Sequence, residues 1–211
     1  MKNWIELLKK ELSKPLPGVE TQFKMASSLR RLATNDKPYK SGSVMILVYL
    51  YQGFLYTVFI KRSEYEGVHS GQISFPGGMS EESDDSWEYT ALRETGEETG
   101  IPVSVISVIG QLTPLHIPVS NVHVYPVVGI IESRPDFIPD PDEVQYLIET
   151  RLEDLINPSN RKIKLMKIAG QAIEVPYFDI QDNHIWGATA MILSEFLEVV
   201  KRAKIGLRFE G

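Results

Sequence analysis

Two β-forming segments joined by a short turn constrain the fold of this chain more than any other feature. Residues 43–50 (SVMILVYL) precede the turn Gln52-Gly53, and residues 54–60 follow it, so a β-hairpin is expected here. A second hairpin is expected from residues 163–168 and 172–178. These hairpins predict that a β-sheet lies at the centre of the molecule.

Helical and strand-like segments surround the two hairpins. Helices are expected at residues 1–12, 85–99, 142–151 and 185–203, strands at residues 103–112 and 122–131, and loop over most of residues 61–74. The second of these helices stops at Gly100, a common residue at helix ends, and Pro102 follows. Strands with flanking helices predict an α/β sandwich around a mixed sheet.

The chain has 211 residues, which suits one domain with an addition at its end. We place the domain at residues 41–211, after an N-terminal helical extension over residues 1–40. The extension begins with an amphipathic helix and lacks the apolar run of a secretory signal. No apolar run reaches the length of a membrane span, so a cytoplasmic protein is expected.

Charge and cysteine content exclude several classes of function. The formal net charge of −6 argues against a broad basic surface for nucleic acid, although a small basic pocket for a phosphorylated molecule remains compatible with it. The absence of cysteine excludes disulfides, thiolate metal sites and a cysteine nucleophile.

Three glutamates on the helix at residues 85–99 form the main chemical signal. At about 100° per residue, Glu94 and Glu98 lie roughly 40° apart, and Glu97 lies on the adjoining stripe. Like charges at this spacing cost about 0.2–0.5 kcal/mol per pair, and the negative end of the helix dipole disfavours them again. A hard divalent cation would relieve both penalties, and ligation by oxygen favours Mg²⁺ or Mn²⁺ over zinc.

The alternative is a solvated acidic face with one ion pair, since Arg93 lies four residues before Glu97 and can pair with it. The preceding residues favour the metal site. Gly77 and Gly78 permit close backbone approach and leave carbonyl groups open for ligation.

Residues 78–101 resemble the Nudix box, in which a glycine, an upstream glutamate and an Arg-Glu-x-x-Glu-Glu core recur at set spacings. The matching residues are Gly78, Arg93, Glu94, Glu97, Glu98, Gly100 and Ile101. The spacing from Gly78 to Arg93 is one residue longer than the common pattern. Asp84 or Asp85 stands in place of the upstream glutamate, and Thr95 replaces an apolar residue.

A second motif before the box resembles the signature of the coenzyme A pyrophosphatase subgroup of Nudix enzymes. Its residues are Lys61-Arg62-Ser63, His69, Gly71-Gln72 and Phe75-Pro76-Gly77-Gly78. The longer spacing with an aspartate in the box is also similar to this subgroup. One departure is Gly67, which stands where the subgroup usually has an arginine.

The resemblance implies a Nudix-type α/β/α sandwich around a mixed β-sheet, with an N-terminal helical extension. It implies hydrolysis of the pyrophosphate bond of coenzyme A or a derivative, giving 3′,5′-ADP and (acyl-)4′-phosphopantetheine. The metal, Mg²⁺ or Mn²⁺, would be held by Gly78, Glu94, Glu97 and Glu98. The catalytic candidates are Glu97, Arg93 and Glu143, with Glu97 and Glu143 as alternative proton acceptors. The substrate-binding candidates are Arg62, Ser63, His69, Gly71 and Gln72.

Two other functions are left open. Gly67 favours a Nudix hydrolase for another nucleoside diphosphate derivative, such as ADP-ribose. A catalytically silent Nudix module that binds a nucleotide is disfavoured, because such a module would not need the intact glutamates. The expected partner is a small nucleotide-derived molecule, with no nucleic acid and no membrane, and a homodimer is left open.

Overall fold

A computed structural model describes residues 3–28, 30, 39–64, 71–168 and 170–209. The described helices are α1 (Asn3–Leu12), α2 (Gly18–Gln22), α3 (Trp87–Thr99), α4 (Leu152–Ile156) and α5 (Gly187–Arg202). The described strands are β1 (Lys40–Tyr51), β2 (Phe54–Arg62), β3 (Ile73–Ser74), β4 (Gly77–Met79), β5 (Ser107–Gln111), β6 (Leu115–Ile117), β7 (Val122–Ile131), β8 (Val144–Arg151), β9 (Arg161–Ile168), β10 (Gln171–Ile180) and β11 (Asn183–Trp186). Short 3-10 helices cover Phe23–Met25, Val103–Val105 and Pro158–Asn160.

Strands β1 to β8 form one mixed sheet, and β9 to β11 form a smaller antiparallel sheet. The long strand β1 organises the larger sheet, because it pairs with β7 along one edge in parallel. Along its other edge it pairs antiparallel with β4 near its start and with β2 near its end. The strand β6 pairs with the outer edge of β7.

Alternate residues of β1 face two different helical layers. Met45 and Leu47 belong to the apolar cluster that contains Ala91 of α3, whereas Ile46 and Val48 belong to the cluster that contains Phe196 of α5. All four β1 side chains are fully buried. This alternation follows from the two-residue period of a strand and produces three layers, with α3 and α5 on opposite faces of the sheet.

Both predicted hairpins are confirmed. β1 and β2 pair antiparallel across Gln52, and β9 and β10 pair antiparallel with each other. The helices predicted at residues 1–12, 85–99 and 185–203 are also present, although α5 begins only at Gly187, after β11.

The prediction of a short helix at residues 142–151 is wrong, because this segment contains β8. Its hydrogen bonds go to β2, where Ile148 pairs with Phe59 and Thr150 pairs with Thr57. Ile148 and Thr150 are buried at a spacing of two, which is the period of a strand. Tertiary pairing outweighed the weak local helical signal of the segment.

The described helices of the N-terminal extension pack into the same core as α5. Trp4, Leu8 and Leu12 of α1 are buried there, each contributing about 1.5–3 kcal/mol relative to exposure. The carboxylate of Glu195 on α5 accepts hydrogen bonds from the Gly18 amide at 2.9 Å and from Gln22 Nε2 at 2.8 Å. A domain boundary at residue 40 stays a prediction.

Candidate functional site

The helix α3 is fixed at both ends. At its start, the Ser86 hydroxyl accepts a hydrogen bond from the Tyr89 amide at 3.1 Å. At its end, Gly100 adopts a left-handed conformation (φ 72°), and its amide donates to the Gly96 carbonyl. Ala91 and Thr95 are fully buried, so this face anchors the helix to the sheet. Thr95 packs where the family has an apolar residue, with its hydroxyl donating to the Ala91 carbonyl at 2.6 Å.

The strand β4 brings two glycines against the carboxylates of α3. The Gly77 amide donates a hydrogen bond to Glu98 Oε2 at 2.7 Å. A Cβ atom added to Gly78 would lie 2.3 Å from Glu94 Oε2, so only glycine permits this approach. Gly77 and Gly78, predicted to favour a metal site with the carboxylates, therefore do lie against α3.

Glu98 is fully buried and lies between β4 and β2. Besides the Gly77 amide, Arg62 Nη1 donates to Glu98 Oε1 at 3.1 Å. Burial raises the pKa of Glu98 to about 8, while Arg62 and the Gly77 amide oppose this increase. Burial also raises the pKa of Glu94, and Arg93 opposes that shift.

Arg93 connects three carboxylates. Its Nη1 atom donates to Glu97 Oε2 at 2.9 Å and to Glu94 Oε1 at 3.0 Å. Its Nε and Nη2 atoms donate to the two oxygens of Asp84 at 3.1 and 3.0 Å. The predicted pair with Glu97 is therefore present, and of the two candidate aspartates it is Asp84, not Asp85, that engages Arg93.

The donor chemistry of this cluster suits Mg²⁺ or Mn²⁺, since carboxylate and carbonyl oxygens are the ligands these hard ions prefer. Glu143 also acts on it, because its charge contributes to raising the pKa values of Glu94 and Glu98. Two arginines, Arg62 and Arg93, neutralise the glutamates. In the part of the chain that the structure describes, no three acidic or histidine side chains stand in a preformed ligand arrangement. The metal site stays a prediction.

The predicted substrate-binding residues separate into two groups. Arg62 and Gln72 line a cavity of about 740 Å³ next to β4. Ser63 and Gly71 instead bond to backbone, with the Gly71 amide donating to Ser63 O at 3.3 Å and the Ser63 amide donating to Glu143 O at 2.8 Å. These bonds hold Glu143 beside the start of the loop. His69, like Gly67, lies outside the described residues.

The cavity is mostly apolar and lies on the α5 side of the sheet. Its walls include Val44, Val124, Met191 and Ile192, and Gly78 forms part of its edge. Trp186, at the start of α5, also lines it. Arg62 connects the two regions, because it lines the cavity and binds Glu98.

Sequence reasoning missed Arg30, Ser120 and Met191 as wall residues. Arg30 comes from the N-terminal extension, Ser120 from the loop between β6 and β7, and Met191 from α5. No local pattern marks them, because they come together only when the extension and α5 cover the sheet.

Comparison with known proteins places these features in a family context. The NUDIX domain family model matches residues 39–166. Nudix hydrolase 15, mitochondrial, of Arabidopsis thaliana is 33% identical over 184 residues, covering 83% of this chain and 64% of the relative. The uncharacterized Nudix hydrolase NudL of Yersinia pestis is 34% identical over 140 residues, covering 66% of this chain and 70% of the relative. The chain therefore spans slightly less than two thirds of the plant relative's length.

Solved structures support the fold. The crystal structure of the Nudix hydrolase RenU from M. smegmatis aligns with a TM-score of 0.54 at 14% identity, covering 88% of this chain and 98% of that chain. At this identity the likeness concerns the fold alone. Among the described residues, no helix has the length and apolar character needed to cross a membrane.

Proposed function

Because the chain belongs to the Nudix family, we propose that it hydrolyses a pyrophosphate bond in a nucleoside diphosphate derivative. One observation carries this proposal. The Glu94 and Glu98 carboxylates lie against the Gly77-Gly78 backbone, and these two glycines line a cavity large enough for a small-molecule substrate. This arrangement supports an active site formed by α3 and β4.

In this proposal, Glu94, Glu97, Glu98 and the Gly78 carbonyl hold Mg²⁺ or Mn²⁺. The ion would neutralise pyrophosphate charge and lower the pKa of a bound water. Arg62 and Arg93 neutralise the same carboxylates in the structure, and either guanidinium can bind an anionic oxygen of the substrate instead. Arg62 is better placed for this, because it lines the cavity.

Proton transfer needs a carboxylate that water can reach. The Glu97 side chain is 56% exposed and is oriented by Arg93, which makes it the first candidate for accepting the proton of the attacking water. Glu143 is the alternative, since it is exposed and its backbone carbonyl is held by the Ser63 amide. Glu98 is buried and hydrogen-bonded through both oxygens, so it suits a binding role better.

We further propose coenzyme A or a derivative as the substrate. Three features support this choice: the motif from Lys61 to Gly78, the longer box spacing, and the engagement of Arg93 by Asp84 in place of a glutamate. The mostly apolar cavity also has room for an uncharged arm beyond the pyrophosphate.

A substrate panel with Mg²⁺ or Mn²⁺ tests both levels of the proposal. Coenzyme A, ADP-ribose, NADH and nucleoside triphosphates are compared by identifying the released products. We expect 3′,5′-ADP and 4′-phosphopantetheine from coenzyme A. Cleavage of ADP-ribose with coenzyme A untouched would reject the subgroup, and no cleavage of any compound would reject the hydrolase.

The Glu98→Gln variant tests the metal site. Its kcat/KM should fall by about 100-fold or more, since a neutral amide is a poor ligand for a divalent ion. Glu153→Gln on the exposed side of α4 is the matched control and should retain activity. Unchanged turnover in a folded Glu98→Gln protein would contradict the assignment.

A cytoplasmic location and a homodimer stay predictions, which fractionation and light scattering would test.

A further inference from the structure

The cavity extends across four neighbouring strands. His116 of β6 pairs with His123 of β7, which pairs with Ser41 of β1. On the other edge of β1, Ser43 pairs with Gly78 of β4. Adjacent strands are about 4.8 Å apart, so three steps separate β6 from β4 by roughly 14 Å. The cavity therefore has a second end, well away from the carboxylate helix.

Arg30 lies at this second end. Its guanidinium donates a hydrogen bond to the His116 carbonyl at 2.5 Å, and its side chain lines the cavity. Burial lowers the pKa of Arg30. Within residues 3–28, 30, 39–64, 71–168 and 170–209, no carboxylate forms an ion pair with it. A partly buried cation without a counter-charge is costly, which favours an anion from outside the chain.

A second polar side chain, that of Ser120, lies at the same end of the cavity. Ser120 lines the cavity, and its hydroxyl oxygen is buried without a hydrogen-bond partner among the described residues. Between the two ends, the walls are formed by apolar side chains such as Val44, Val122 and Val124. The cavity thus presents cations at two separated ends and an apolar surface between them.

We propose that Arg30 binds a phosphomonoester group of the substrate, at the end of the cavity opposite Gly78, with the Ser120 hydroxyl as a second donor. The inference rests on the proposed function, which puts the pyrophosphate at the Gly78 end. The planar fork of donors in arginine matches the oxygens of a phosphate group. The substrate class is a nucleoside diphosphate derivative that carries a further phosphate on its ribose, with its base or sugar against the apolar walls.

Calorimetric titration of two ligands that differ by one phosphate tests this inference. The probes are 3′,5′-ADP and 5′-AMP, neither of which contains a pyrophosphate bond, so binding is measured without turnover. We expect the wild-type protein to bind 3′,5′-ADP about 10- to 100-fold more tightly than AMP. Arg30→Gln should abolish this preference and leave AMP binding within about threefold.

Three further variants sharpen the comparison. Arg30→Lys should keep part of the preference, and Ser120→Ala should weaken 3′,5′-ADP binding by about 3- to 10-fold, the loss expected for one hydrogen bond. Arg202→Gln, at the exposed end of α5, is the control and should bind as the wild type does. A merely structural role of Arg30 would weaken both ligands equally.

The inference is overturned if the wild-type protein shows no preference for 3′,5′-ADP, or if Arg30→Gln retains it. These results can be separated from a failure of the proposed function. Loss of the preference in Arg30→Gln, with coenzyme A left uncleaved by the wild type, would reject coenzyme A as the substrate and support the phosphate site. Cleavage of coenzyme A by the wild type, with the preference for 3′,5′-ADP unchanged in Arg30→Gln, would support the substrate and reject the phosphate site.

Discussion

At the scale of single residues, the site depends on how its charges are distributed between two arginines. Arg62 binds the buried Glu98, and Arg93 binds the more exposed Glu94 and Glu97. Each arginine thereby reduces the repulsion among carboxylates that the helical spacing brings together. Asp84 is a third carboxylate that pairs with Arg93, and the Asp84 side chain is only 1% exposed.

Asp84→Asn should lower the free energy of unfolding by about 2–3 kcal/mol at neutral pH, since it removes charged hydrogen bonds to Arg93. Hydrogen bonds from Arg93 hold the pKa of Asp84 well below its usual range. A carboxyl group whose pKa is lower in the folded than in the unfolded state stabilises the fold at pH values above its unfolded-state pKa, about 3.9. This contribution is lost as the pH falls toward the folded-state pKa. The difference between wild type and variant should therefore shrink below about pH 4.

Urea unfolding at a series of pH values measures this difference. Asp85→Asn is the control, because Asp85 is exposed and should change stability by less than about 0.5 kcal/mol. A difference for Asp84→Asn that stays constant from neutral to acid pH would contradict the proposed ion pair.

At the scale of elements, the C-terminal end of α3 is held by the loop between β7 and β8. The Ile138 amide donates to Thr99 O at 2.8 Å, and the Asp140 amide donates to Glu98 O at 3.3 Å. These bonds satisfy helix carbonyls that would otherwise lack partners. The same loop leads into Glu143, so the helix end and the alternative proton acceptor are positioned together.

Gly100→Ala should destabilise the protein by about 2–4 kcal/mol, because two penalties add. The left-handed conformation costs about 1 kcal/mol for alanine. The added Cβ would also lie 2.4 Å from the Ile138 carbonyl oxygen, which forces the loop away. Chemical denaturation measures the loss.

Gly170→Ala provides the matched control for this prediction. Gly170 has a similar positive φ of 83°, but among the described residues other than its chain neighbours no atom lies within 4 Å of the added Cβ. Its loss should be only about 1 kcal/mol. Equal losses of stability in the two variants would show that the close contact with Ile138 adds no penalty to Gly100→Ala.

At the scale of the whole molecule, the N-terminal extension and the sheet share one core and one cavity. Glu195 of α5 connects them, because its buried carboxylate accepts hydrogen bonds from Gly18, Gln22 and Thr113. The predicted Nudix-type sandwich is confirmed, and the extension adds a wall to it. Arg30, also from the extension, lines the cavity.

Glu195→Ala should destabilise the chain by about 3 kcal/mol or more, since it leaves buried donors without an acceptor. Unfolding should remain a single transition, because α1 buries its apolar side chains in the common core. Glu198→Ala on the same helix is the control, as Glu198 is partly exposed and pairs with Arg202 at the surface. Two separate transitions in the wild type would indicate an independently folding extension.

The sequence by itself determined the two hairpins and the carboxylate helix. These features depend on residues close together in the chain, where periodicity, turn residues and charge spacing act directly. The pair between Arg93 and Glu97 belongs to this class, because four residues make one helical turn.

Only the tertiary structure decided the remainder. Residues 142–151 form a strand because β2 offers them hydrogen bonds, which outweighs their local preference. Glu98 became the buried partner of Arg62, and Arg30 and Ser120 became walls of one cavity, through contacts between residues distant in the chain. Such contacts depend on how the layers pack over the sheet, and no local pattern in the sequence encodes them.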